Sequence, residues 1–133
     1  MKLEDQCCSL ELAKQLKMLG VRQESVFVYQ FTNVGQNTKP IYFELRDWAG
    51  RNEILGFVAA FTVAELGEML PNIVVSDFSK EWYRPFSRKH PVGWCCSLME
   101  GNHQYLEHFT ADTEADARAK MLIHLIETGV VKP

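Results

Sequence analysis

Apolar positions recur with two periods along this chain, and the switches between them mark the elements. The clearest run is Thr113–Gly129, TEADARAKMLIHLIETG. Ala115, Ala119, Leu122 and Ile126 form one helical stripe, widened by Ile123 and Leu125. Thr113 stands at the N-cap with Asp116 at the capping-box position. Glu114 and Asp116 suit the positive end of the helix dipole, and Gly129 supplies a stop. A second helix is expected from Ser9 to Leu19. Ser9 is its cap, Leu12, Ala13, Leu16 and Leu19 share a face, and Gly20 ends it. A short third helix spans Val63–Leu70. Thr62 and Glu65 have the spacing of a capping box, Phe61 and Leu66 that of a hydrophobic staple, and Pro71 terminates it.

Between the helices the period falls to two. Val26–Phe31 is rich in β-branched and aromatic residues, and Ile41–Arg46 alternates apolar with polar. The turn residues of Asn33–Pro40 make a hairpin of the pair. Asp47–Glu53 reads as a turn, followed by a strand at Ile54–Ala59 in which Gly56 marks a bulge or a close approach. Ile73–Val75 is a short strand, and the stretch to Pro91 shows no period and is expected to be mostly irregular. Val92–Met99, with Trp94, Cys96 and Leu98 on one face, pairs through a hairpin loop at Glu100–His103 with Gln104–Phe109. This order predicts an α+β fold: a layered helix/sheet sandwich with a mainly antiparallel sheet of about five strands, and the N- and C-terminal helices packed on it.

Composition narrows the class. The 133 residues fit a single domain, residues 1–133, and 47% apolar with 23% charged residues is ordinary for a globular protein. A net charge of −3 gives no general attraction to nucleic acid or anionic lipid. The opening MKLEDQCC has no apolar h-region, and no apolar run reaches membrane-spanning length, so a cytoplasmic protein without membrane association is expected. In such a compartment the four cysteines, Cys7, Cys8, Cys95 and Cys96, are thiols.

Three stretches carry a resemblance: LELAKQL (Leu10–Leu16), AFTVAELGEMLP (Ala60–Pro71) and TEADARAKMLI (Thr113–Ile123). Together they resemble small uncharacterised proteins encoded by bacteriophages and prophages, and the final strand and helix are similar to the phage ABA sandwich domain. The resemblance covers roughly a quarter of the chain and rests on helix segments. It implies a bacterial host cytoplasm, a mobile element and a layered fold. It transfers no catalytic or binding residue.

Candidate chemistry is sparse. Vicinal cysteines lack the Cys-x-x-Cys spacing of a zinc knuckle, and on a strand Cys95 and Cys96 point to opposite faces, one in the core and one outside. His90, His103, His108 and His124 offer no nucleophile motif, and His124 falls opposite the stripe of its helix, a solvent position. Glu65 and Glu68 share a face, but Glu65 is engaged in capping. No P-loop or dinucleotide glycine motif is present. No catalytic residue, metal or cofactor is therefore assigned, and enzymatic activity is not expected.

The stretch Lys80–His90, KEWYRPFSRKH, interleaves aromatics with cations. Trp82, Tyr83, Arg84 and Phe86 form the expected interaction surface for a protein partner or a second copy of the chain, because Trp, Tyr and Arg dominate interface hot spots. The leading expectation is a non-enzymatic accessory or interaction protein of a phage or mobile element. The alternative is a weak nucleic-acid binder using Lys80, Arg84, Arg88 and Lys89. A further alternative is an enzyme with a Cys/His site.

Overall fold

The computed structural model describes residues 2–31, 43–50, 56–76, 80–100 and 104–133. The expected turn at 33–40, the loop at 101–103 and residues 41, 42 and 51–55 lie outside them. The elements run α1 (Leu3–Gln6), α2 (Leu10–Met18), β1 (Phe27–Phe31), β2 (Phe43–Asp47), a single 3-10 turn (Trp48–Gly50) and β3 (Phe57–Ala59). They continue with α3 (Val63–Met69), β4 (Val74–Val75), β5 (Trp82–His90), β6 (Gly93–Glu100), β7 (Gln104–Ala111) and α4 (Glu114–Glu127). The fold is α+β and its sheets are antiparallel, but the strands divide into two sheets, ordered β2-β1-β3 and β4-β5-β6-β7.

Local chemistry sets the helix ends where the sequence places them. Ser9 Oγ accepts from the Leu12 amide, and Gly20 takes φ +91° just past α2. At α3 the capping box is complete: Thr62 Oγ1 accepts from the Glu65 amide at 3.2 Å and Glu65 Oε2 from the Thr62 amide at 2.8 Å. The same carboxylate also accepts from Ser25 Oγ at 2.7 Å and from the Val26 amide at 2.9 Å. Glu65 thus ties α3 to the entry of β1. Gly56 takes φ +82°, a left-handed conformation that favours glycine, and its carbonyl accepts from the buried Gln30 side chain at 2.5 Å.

The C-terminal helix is more deeply placed than a one-stripe pattern implies. α4 packs on β5, β6 and β7 and also on α1, α2 and α3, while α2 reaches β3 of the small sheet. Ala117 and Met121, outside the expected stripe, are buried with Ala115, Ala119, Leu122, Ile123 and Leu125. A helix apolar on more than one side is an interior helix. Its alanines permit close packing, and one core runs from Leu12 and Leu16 through Phe61 and Leu66 to Tyr83, Leu98, Leu122 and Leu125. The two helix N-termini are joined directly, since Asp116 Oδ1 accepts from the Ser9 amide at 2.6 Å. Burial raises the Asp116 carboxyl above its usual range, against the lowering effect of that amide and of Lys120.

His124 departs from expectation. It is not free in solvent but half-buried, with Nε2 3.5 Å from Glu107 Oε1 and its ring 5.3 Å from that of Phe109. The breadth of the buried face of α4 is the reason, because it brings the flank of the helix down on β7.

Candidate interaction face

The largest difference from the sequence reading is at 82–90, expected to be irregular and found as the nine-residue strand β5. Its odd positions are Tyr83, Pro85, Ser87 and Lys89, so no apolar alternation is visible. The strand is imposed by pairing: β6 matches it from Arg84↔Met99 to His90↔Gly93, across a tight turn at Pro91 and Val92. Gly93 takes φ +129° there, with the Ala111 carbonyl oxygen 2.4 Å from where a Cβ would stand. Pro85 is tolerated for a geometric reason. The Ser76 amide donates to the Glu81 carbonyl at 2.9 Å, so odd residues of β5 turn their backbone groups toward the β4 side. The two-residue β4 ends opposite Tyr83, and the missing N–H of Pro85 falls on the strand edge beyond it.

Alternation sorts the sequence-predicted surface into two sets. Tyr83 pairs with Val74 and faces the helices, only 6% exposed within the core, so it is removed from the interaction surface. Trp82, Arg84 and Phe86 face the other way. Trp82 is 57% exposed, Phe86 51%, and Val75, the cross-strand partner of Trp82, 59%. The Arg84 guanidinium carbon lies 6.0 Å from the Trp82 ring centroid, within cation–π range. Arg88 continues the row and is exposed. The cations Lys80 and Lys89 are exposed too, but Lys80 precedes the strand at φ +60° and Lys89 has the parity of the inner face. The structure therefore lines up Trp82, Arg84, Phe86 and Arg88 on one face of β5.

Beside this row a cleft of about 490 Å³ lies between Leu70–Ile73 and the Arg84–Ser87 edge of β5. Arg118 forms part of its wall and serves as a tie rather than an open cation. Its Nη2 meets Glu114 Oε1 at 2.8 Å and Ser87 Oγ at 3.0 Å, Nε donates to Ser87 Oγ at 3.2 Å, and Nη1 donates to the Val63 carbonyl at 3.1 Å. Gly67 leaves the room that Nη1 occupies, since a Cβ there would lie 2.2 Å away. One side chain thus joins α4, α3 and β5.

The cysteines correct a second expectation. Cys95 and Cys96 do point to opposite faces, yet both are buried. Cys96 packs in the core as a small hydrophobe, and burial pushes its thiol up to about 12. Cys7 and Cys8 are also buried, raised to about 11 and about 12, chiefly by desolvation. Cys95 lies on the outer face, and its sulfur is 3.0 Å from His108 Nδ1. Sequence reasoning raised a Cys/His site without identifying this pair. The pair lies beyond a bulge at Leu98/Met99, and regular extension of the register from Glu100↔Gln104 would set His108 opposite Cys96 on the other face, so the hairpin pattern alone did not reveal it. Among the described residues no group of three or more His, Cys, Asp or Glu side chains is placed to hold a metal ion, and no helix is long and apolar enough to cross a membrane. Trp48 is half-buried, edge-on to Phe57 at 5.3 Å between centroids, in a packing role.

Comparison with protein-family models, curated proteins and solved structures finds no match to this chain.

Proposed function

We infer that the protein is a non-enzymatic interaction module that docks a protein partner on the outer face of β4 and β5. The observation that supports this reading is the row Trp82, Arg84, Phe86, Arg88, with Val75 beside it, exposed on one sheet face. Large aromatics held in the open on a rigid strand lose little conformational freedom when covered, and Trp and Arg are the residue types that carry interface energy. Charge selects the partner. Arg84 and Arg88 make this face cationic, so the partner it fits best is a protein with an apolar surface rimmed by carboxylates. The resemblance of the helix segments to phage-encoded proteins supports an accessory role for a mobile element in a bacterial cytoplasm.

The test is affinity purification from the host with the wild type and with the Trp82→Ala/Phe86→Ala double variant, followed by titration of the purified partner. Loss of about 2 kcal/mol or more of binding in the double variant is expected for anchor residues. A partner bound equally by both proteins removes the reading.

A second reading is favoured by the same alternation. Aromatics for stacking and cations for phosphates on one open sheet face are the parts of a single-stranded nucleic-acid platform. Titration with a single-stranded oligonucleotide at two salt concentrations decides between them. Affinity falling steeply with salt supports nucleic acid, and no binding at low salt eliminates it.

A further inference from the structure

On the same outer face, one strand in from the aromatic row, three side chains able to move a proton converge. Cys95 Sγ lies 3.0 Å from His108 Nδ1 and 3.0 Å from Ser97 Oγ, and that hydroxyl lies 3.2 Å from the same nitrogen. Strand geometry creates the cluster. Cys95 and Ser97 are two apart on β6 and share a face, and Ser97 is the direct cross-strand partner of His108 on β7. On the other side, Arg88 of β5 pairs directly with Cys95. A thiol is turned into a nucleophile by a base within hydrogen-bond reach, and His108 supplies one to Cys95. Cys7, Cys8 and Cys96 stand in packing that keeps them protonated to about 11 or 12.

We propose that Cys95 is a reactive thiol, activated by His108, that is oxidised to a sulfenic acid by small peroxides. The imidazole begins neutral, with its proton on Nε2, and Nδ1 takes the proton of the Cys95 thiol. Ser97 Oγ–H donates to the sulfur as the thiolate forms. The thiolate attacks one oxygen of hydrogen peroxide, so that an S–O bond forms and the O–O bond breaks. The departing hydroxide takes the proton back from Nδ1. Sulfur is oxidised by two electrons, the peroxide is reduced by two, and the products are a sulfenic acid and water. Access selects the oxidant. Cys95 and Ser97 are fully buried while His108 beside them is exposed, so the sulfur is reached when the His108 ring swings aside, which favours the smallest peroxides.

The experiment exposes the folded full-length protein to hydrogen peroxide, quenches, alkylates the remaining thiols under denaturing conditions and quantifies each cysteine by peptide mass spectrometry. Cys95 should lose its thiol about tenfold or more faster than Cys7, Cys8 or Cys96, recover with dithiothreitol, and react more slowly with tert-butyl hydroperoxide. His108→Gln should slow Cys95 about tenfold or more without changing the other three, because a general base contributes at least that much. Equal rates at all four cysteines in the wild type overturn the proposal whatever the variant does. So does a correctly folded His108→Gln protein with an unaltered Cys95 rate.

Discussion

On its inner face the four-stranded sheet sets Tyr83, Cys96 and Leu98 against the helix layer, and all three are buried; on its outer face it sets Val75, Trp82 and Phe86, and all three are more than half exposed. The two faces are built by the same strands, one residue out of phase. Burial of apolar surface is worth about 25 cal/mol per Å², so the inner face already contributes its share to folding while the outer face holds its share in reserve. Exposed apolar groups gathered in one place, rimmed by cations, mark a surface that something else covers. The difference puts the folding energy of this sheet on its inner face and leaves apolar groups of β4 and β5 exposed on the outer one, the face proposed above for recognition.

That division can be broken most sharply at the core. Leu98→Ala should destabilise by about 2–5 kcal/mol in chemical denaturation, because it leaves a cavity against the helix layer. Phe86→Ala, on the opposite face, should stay within about 1 kcal/mol of wild type. Comparable losses from the two would show that the outer face is structural. Gly93→Ala tests the hairpin that holds both faces in register. With φ at +129° and a backbone oxygen in the way, about 1–3 kcal/mol of stability should be lost. Little or no change would mean that the turn readily relaxes.

A smaller effect is expected at Thr62. Thr62→Ala removes the acceptor for the Glu65 amide and should lower the melting transition by the equivalent of about 1 kcal/mol, with no effect on partner binding. The thiols give the pH dependence. Burial raises Cys8 and Cys96 from 9.0 to about 12, so the folded state favours the neutral thiol more than the unfolded chain does. That stabilisation is fully present below about pH 9 and is lost as pH rises toward 12. Urea midpoints followed from pH 8 to 11 should fall, and Cys96→Ala should flatten the slope; a slope unchanged by that substitution would remove the thiol from the explanation.

Much of this fold was legible in the chain. The ends of α2, α3 and α4 lie within a residue or two of the positions set by Ser9, Thr62 and Thr113 and by Gly20, Pro71 and Gly129. The alternation of Trp94, Cys96 and Leu98 placed the inner face of β6 correctly. The strand β5 was not legible, because its inner positions are a tyrosine, a proline, a serine and a lysine, and no period in hydrophobicity announces it. The aromatic and cationic residues of the candidate face were visible as a cluster, but their sorting into Trp82, Arg84 and Phe86 outside and Tyr83 inside required that strand.

Capping, helix termination and amphipathic periodicity act over one or two turns of chain, and the sequence alone determined them. Which segments become neighbours was decided only by the tertiary structure. The contacts that matter most here join distant segments: Ser9 to Asp116, Val63 and Ser87 to Arg118, and Cys95 to His108. Each depends on strand register or on the approach of one helix to another. A shift of one residue in the β6–β7 pairing would turn Ser97 and His108 to different faces and dissolve the cluster around Cys95.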